Sequence, residues 1–175
     1  GDKFVPEFSQ SFFEKSVKQL PAEQLPLRDG ETVDDLLAEL IPVIFDPAID
    51  AKRTNQEAGV DLVTTSAGNY YDGVTQTEAE DFYAKMKDPN DAEPISYGLN
   101  SRLVKKDGIV QEEVYKVGGR YSAALEKVVF WLEKAAAVAE NDQQHAVIEK
   151  LIEFNKTGNL RTFDEYAVLW VSDTA

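Results

Sequence analysis

Residues 120–158 constrain the fold most, because their apolar side chains recur at helical spacing with a single interruption. Asn141 or Asp142 is suited to cap the second half of this stretch, and Gly158 is suited to end it in a left-handed backbone conformation. The short link between the halves predicts two antiparallel helices. The stripe that we expect the first helix to bury consists of Tyr121, Leu125, Val128, Leu132, Ala135 and Ala139.

A β-hairpin is predicted directly before this helical pair. Two runs rich in strand-forming residues flank Asp107–Gly108, a pair that accepts the positive φ angles of a tight hairpin turn. We expect strands near 99–105 and 109–117. Glu112 and Glu113 lie on the second strand, where we expect their side chains to point toward solvent.

Further helices are predicted over 8–20, 32–45, 75–87 and 162–173. Thr32 is suited to cap the second of them, and Pro42 is expected to end or kink it. Thr162 and Glu165 have the spacing of a capping box at the start of the last helix. In the third helix, two pairs have that spacing: Thr75 with Glu78, and Thr77 with Glu80. The fold class is therefore α+β, mostly helical with at least one β-hairpin near 99–117. The chain, 1–175, is expected to be a single domain or a fragment of one lobe.

Composition limits the classes of partner. The chain has 32 acidic and 18 basic residues, a net charge of −14, which disfavours nucleic acids and anionic membrane surfaces. It has no cysteine, which excludes disulfides and thiolate metal sites and is compatible with the cytoplasm. No apolar run is long enough to span a membrane, and the N-terminus does not resemble a signal peptide.

No catalytic set is visible among the side chains. His145 is the only histidine, and with Glu149 one turn later it could serve as an acid–base pair or as two metal ligands. Zinc sites usually need three or four protein ligands, so we expect His145 to be an ordinary surface residue of its helix. We therefore predict no catalytic and no metal-binding residue. Trp131 is expected in the core, and for Trp170 the residues alone favour core packing over a binding role.

Four stretches together resemble dipeptidyl peptidase III in its bacterial form: "NQEAGVDLVTTSAGNYYDGVTQTEAEDFY", "SYGLNSRLVKKDG", "VYKVGGRYSAALEKVVFWLEKA" and "TGNLRTFDEYAVLWVSDT". The resemblance implies a two-lobed, zinc-dependent exopeptidase that removes dipeptides from the N-terminus of oligopeptides. Its zinc is held on an HExxGH motif, which this chain does not contain. The chain is therefore expected to be an internal piece, mostly of the lower lobe, that is inactive and metal-free by itself. Zinc would be bound only by the full-length parent.

The resemblance also assigns substrate-binding residues. In "LWVSDT", it implies that Trp170 lines substrate subsites in the cleft and that Asp173 positions the adjoining loop. The implied partners are the oligopeptide substrate and the missing catalytic lobe, and exposed lobe surface is expected to promote self-association. The alternative hypothesis is a stand-alone, non-catalytic binding or scaffold domain related to that lobe. The reading frame downstream of Ala175 would distinguish the two.

Overall fold

The structure, a computed structural model, describes residues 2–173. The chain divides into two compact units, Gly1–Gly68 and Asn69–Ala175. The predicted α+β class is confirmed, with a small sheet and six α-helices within the described residues. No helix between residues 2 and 173 is both long and apolar enough to cross a bilayer.

The first unit contains helices α1 (Gln10–Lys18) and α2 (Val33–Phe45), with a short 3₁₀ turn between them. The predicted cap of α2 is confirmed as a full capping box, in which Thr32 accepts from the Asp35 backbone and the Asp35 carboxylate accepts from the Thr32 backbone. The helices meet through aromatic rings, including a Phe13–Phe45 pair with centroids 5.9 Å apart.

Pro42 does not end α2, contrary to one of the two outcomes expected for it. The helix continues to Phe45, and the Asp46 N–H donates to the Pro42 carbonyl oxygen at 3.0 Å. A proline removes only its own N–H from the ladder, so the helical bonds that follow it can still form.

The second unit begins with β1 (Tyr71–Asp72) and α3 (Gln76–Ala84), and the hairpin β2 (Ser101–Lys106) and β3 (Ile109–Val114) follows. The sheet order is β1-β2-β3, with β1 parallel to β2 and β2 antiparallel to β3. The predicted hairpin is confirmed, although its strands are shorter than expected. Its turn is formed by Asp107 and Gly108, with φ angles of 51° and 80°.

Three helices complete this unit: α4 (Ser122–Ala136), α5 (Asp142–Thr157) and α6 (Leu160–Ser172). Helix α5 packs against both α4 and α6. Its contact with α4 agrees with the helical pair that was predicted over residues 120–158. Asn141 caps α5 and Gly158 ends it with a φ of 71°, so both predictions are confirmed. The α4–α5 interface contains Val129, Leu132, Ala136, Ile148 and Ile152, and Val117, which precedes α4, packs against this cluster.

A second cluster lies between the sheet and α3. Leu103 has no exposed surface and packs with Val74 and Ala79, while Phe82 and Val110 lie at its margin. Because β2 alternates its side chains, Ser101 shares the buried face with Leu103, while Arg102 faces the other way.

Three predictions for α4 and α6 were wrong. Tyr121 and Val128, which were placed in the buried stripe of the first helix, are 60% and 43% exposed. Trp131 is 69% exposed rather than part of the core, because Val129 and Leu132 occupy the side of α4 that meets α5. Thr162 does not cap α6, since the helix begins at Leu160 and the Asn159 side chain accepts from the Arg161 backbone.

The start of α6 is early because Gly158 ends α5 immediately before it, which leaves no loop ahead of Thr162. Thr162 is instead 3% exposed, and its hydroxyl donates to a Glu153 carboxylate oxygen at 3.4 Å.

Candidate functional site

Aromatic rings connect α5 to the end of α6. Phe154 and Phe163 have centroids 4.8 Å apart, Phe163 and Tyr166 are 5.7 Å apart, and Tyr166 and Trp170 are 6.2 Å apart. Trp170, the last ring of this row, is 61% exposed. The row therefore supports one side of the Trp170 indole and leaves the rest open to a ligand or partner.

Asp173 lies next to Trp170 because it caps the C-terminus of α6. Its backbone N–H donates to the Trp170 carbonyl oxygen at 3.2 Å, and its side chain is half-buried. Gln143, at the start of α5, holds this turn by donating to the Leu169 carbonyl oxygen at 3.1 Å. Trp170 and Asp173, the two residues predicted to bind substrate, thus share one anchored helical turn. Their role in binding stays a prediction.

A second candidate site is a pocket that lies between residues 70–71 at β1, Tyr83 of α3 and the connection from α3 to β2. It is an open pocket of about 310 Å³, which we call the tyrosine pocket. Its lining consists of Tyr70, Tyr71, Tyr83, Ser96, Tyr97, Gly98, Leu99 and Ser101. Four phenol rings in one pocket of this size provide aromatic surface together with hydroxyl groups.

The floor of the tyrosine pocket is fixed by Glu112. Its Oε1 atom accepts hydrogen bonds from the Ser101 hydroxyl at 2.6 Å and from the Tyr83 hydroxyl at 3.2 Å. Burial, and then the neighbouring Glu112 charge, raises the pKa of Tyr83 to about 12, so its hydroxyl stays protonated at physiological pH. The strand pattern predicted that the Glu112 side chain points to solvent. That prediction was wrong, because the carboxylate accepts hydrogen bonds from two half-buried or buried hydroxyl groups.

Gly98 is required beside this floor. Its φ is +80°, and a Cβ there would lie 2.8 Å from the Tyr83 hydroxyl oxygen. Any larger residue would therefore meet backbone strain and also displace the Tyr83 ring.

Glu113 was also predicted to face solvent, but it lies on the opposite face of the sheet in a network of charges. It forms ion pairs with Lys106 and with Arg120, whose Nη1 lies 2.9 Å from the carboxylate. The hydrogen bond from Lys106, followed by the one from Arg120, lowers the pKa of Glu113 below its ordinary value. These pairs were missed because strand alternation gives the face of a residue but not its partners.

Only part of the tyrosine pocket could be predicted from the sequence. Tyr70 and Tyr71 are adjacent and lie near Gly68 and Gly73, which marks a loop but not a cavity. The Tyr83 ring is brought to this loop by α3, and that approach depends on tertiary packing.

The residues of this chain do not fit a catalytic zinc site. His145 Nε2 lies 4.0 Å from a Glu149 carboxylate oxygen, and both side chains are about half exposed, as expected for a surface pair. Within residues 2–173, no group of three or more His, Cys, Asp or Glu side chains is placed to hold a metal ion. A catalytic zinc needs about three protein ligands.

Comparison with known proteins identifies a class of peptidases. The sequence model of Peptidase family M49 matches residues 73–175, a range that includes the hairpin, the tyrosine pocket floor and Trp170. Because the match covers more than half of the chain, the chain belongs to Peptidase family M49, the dipeptidyl peptidase III family. Comparison with individually curated proteins gave no match.

Proposed function

We propose that this chain forms a peptide-binding wall of a dipeptidyl peptidase, within the lower lobe of the complete enzyme. The observation that carries the proposal is the family match over residues 73–175, which includes a tryptophan that is 61% exposed at the end of a packed aromatic row. Exposed tryptophans on a rigid support are favourable contacts for a peptide, because they supply large apolar area at a low cost in side-chain entropy.

In this proposal, Trp170 contacts the bound oligopeptide and Asp173 positions the loop that follows α6. Asp173 is suited to that task because its backbone closes the last turn of α6 and its side chain is already half-buried. Gln143 keeps the turn in place from α5. The aromatic wall would thus exist before the peptide binds, which lowers the entropy cost of binding.

Hydrolysis is assigned to residues outside this chain. Zinc-dependent peptide cleavage needs a metal that polarises the scissile carbonyl and activates water. The single histidine of the chain and its exposed Glu149 neighbour cannot supply three ligands. We therefore expect the 175-residue chain to be inactive by itself. We also propose that the protein is cytoplasmic, a location with which the absence of cysteine is compatible.

Tryptophan fluorescence can test the peptide-binding wall, because the chain has only two tryptophans. Trp131→Phe leaves Trp170 as the sole indole, and Trp170→Phe leaves Trp131, which is similarly exposed. Titration with an unlabelled tetrapeptide should change the emission of the Trp131→Phe variant and leave that of the Trp170→Phe variant unchanged. The second variant is therefore a matched control for non-specific effects.

Equal changes in both variants, or none in either, would overturn the role of Trp170.

A separate assay tests whether the chain alone lacks peptidase activity. Release of a chromogenic dipeptide amide by the purified chain, abolished by a chelator, would show that the chain itself holds the catalytic zinc.

We also propose that the outer face of α4 associates with a second copy. Phe130 and Trp131 form an edge-to-face pair with centroids 5.1 Å apart, and Val138 is exposed just after the helix. Exposed apolar clusters of this kind favour association in water.

A further inference from the structure

The floor of the tyrosine pocket presents acceptors and has no free donor. Ser101 and Tyr83 each have a single hydroxyl proton, and both protons are donated to Glu112. The hydroxyl lone pairs are then the groups that remain for a ligand. A ligand group that reaches the Ser101 and Tyr83 hydroxyls at the floor must therefore be a hydrogen-bond donor.

The walls of the pocket favour a positive charge. The faces of tyrosine rings carry negative electrostatic potential, and Tyr70, Tyr71 and Tyr97 supply such rings around the opening. Leu99 adds an apolar contact at the rim. This combination suits a cation on an apolar stem, because the stem can contact Leu99 and the ring edges while the charge meets the ring faces.

No ion pair to Glu112, whose carboxylate lies below the floor, is formed by the described residues 2–173. Glu112 is half-buried, and its partners among residues 2–173 are the two hydroxyls only. Its neighbour Glu113, in contrast, has both Lys106 and Arg120 as ion-pair partners. The two hydroxyls are neutral and do not cancel the negative charge of Glu112, so that charge attracts a cation bound in the pocket above it.

From these three features we infer that the tyrosine pocket binds a primary ammonium group on an alkyl stem, as carried by a lysine side chain of a peptide or protein. The ammonium group provides three donors to the hydroxyl acceptors of the floor. The volume of about 310 Å³ accommodates one such side chain. This inference does not depend on the role proposed for Trp170, which lies on a different helix.

A titration followed by amide NMR shifts tests the ligand class. The probe is N-acetyl-lysine-N′-methylamide, in which the side-chain ammonium is the only charge. The neutral control is N-acetyl-norleucine-N′-methylamide, which keeps the stem and lacks the ammonium. The lysine probe should shift amides of residues 96–103 and bind about tenfold more tightly than the control, as expected for a desolvated cation on aromatic faces.

Two further probes test whether the pocket prefers a side-chain ammonium over a main-chain ammonium or a guanidinium. Glycinamide carries its ammonium on the main chain, and N-acetyl-arginine-N′-methylamide carries a guanidinium. Both should bind more weakly than the lysine probe. Equal or tighter binding of either one would overturn the assignment to a side-chain ammonium, and equal binding of the norleucine control would overturn a cation site altogether.

Paired variants locate the site. Glu112→Gln removes the charge below the floor, and Glu113→Gln removes the same charge from the opposite face of the sheet. The first substitution should weaken lysine-probe binding about tenfold or more, and the second should leave it unchanged. Equal effects would mean that only the overall charge matters, and the pocket assignment would fail.

Rim variants keep the test valid if Glu112→Gln does not fold. Tyr71→Leu keeps apolar surface at the rim and removes a ring face, so binding should weaken about threefold to tenfold. Tyr166→Leu makes the same exchange in α6, away from the pocket, and should not change binding. A Tyr71→Leu variant that binds as tightly as the unchanged chain would overturn the proposal.

Discussion

Arg161 and Asp91 are seventy residues apart in sequence, and Arg161 Nη2 lies 2.6 Å from the Asp91 Oδ2 atom. The same guanidinium donates through Nη1 to the Glu93 carbonyl oxygen at 2.8 Å. One side chain from the first turn of α6 thus holds the connection between α3 and β2 at two points. The same connection continues to Ser96 and Gly98, which line the tyrosine pocket. Arg161 therefore stabilises the segment that forms one wall of this pocket.

Replacing Arg161 should lower stability in a pH-dependent way. The Glu93 backbone N–H, and next the Arg161 guanidinium, lower the pKa of Asp91 from its ordinary value of 3.8. A carboxylate with a lowered pKa stabilises the fold above its unfolded value, and this contribution is lost as the pH falls through the folded value. Thermal melting of Arg161→Ala should therefore show a lower midpoint at pH 7, with a difference that shrinks below pH 3.8.

Arg161→Lys is the control for that prediction. It keeps the charge but cannot contact the Asp91 carboxylate and the Glu93 carbonyl with a planar fork, so its midpoint should lie between those of the other two proteins. A deficit in Arg161→Ala that stays constant from pH 7 to pH 3 would mean that the ion pair contributes nothing to stability.

Local patterns predicted the elements whose boundaries depend on nearby residues. The capping boxes at Thr32 and Thr75, the turn at Asp107–Gly108 and the end of α5 at Gly158 are all decided within four residues. Thr162 was misassigned for the converse reason. Its spacing to Glu165 fits a capping box, but the tight junction after α5 places the cap three residues earlier, at Asn159.

The hairpin turn gives a prediction about backbone strain. Gly108 has a φ of +80° and open space around it, so alanine there meets no clash and is penalised only by its conformation. Gly108→Ala should lower the free energy of unfolding by about 1–2 kcal/mol. Gly68→Ala is the matched control, because Gly68 also has open space but no left-handed φ. In denaturant titration, the free energy of unfolding of the control should lie within about 1 kcal/mol of that of the unchanged chain or be slightly higher.

A substitution in the core between the sheet and α3 should lower the free energy of unfolding by more than the Gly108 substitution does. Leu103 is fully buried between β3 and α3, so Leu103→Ala should lower the free energy of unfolding by about 2–5 kcal/mol through lost burial and a residual cavity. Ile109→Ala removes a similar side chain from a position that is 66% exposed and should change stability by less than about 0.5 kcal/mol. Urea unfolding of both variants measures the difference, and similar values would contradict this packing.

The candidate sites were harder to predict than the fold, for a physical reason. The exposure of Trp131 follows from the side that α4 presents to α5, and this depends on a small rotation of the helix about its axis. The sequence pattern placed Val128 in the buried stripe, but Val129 occupies the interface and Val128 is 43% exposed. The hydrogen bond from Tyr83 to Glu112 likewise forms only because α3 packs beside the sheet, and local sequence patterns do not predict that packing.

Association through α4 gives the last prediction. Lys134 Nζ lies 5.4 Å from the Phe130 ring centroid, so the Phe130–Trp131 pair is bordered by a positive charge in a chain whose net charge is −14. Trp131→Glu should weaken self-association about tenfold or more, because it removes a large anchor and buries a charge in the contact. Sedimentation velocity over a concentration series measures the change. Trp170→Glu makes the same substitution on α6, and an equal effect there would show that α4 is not the interface.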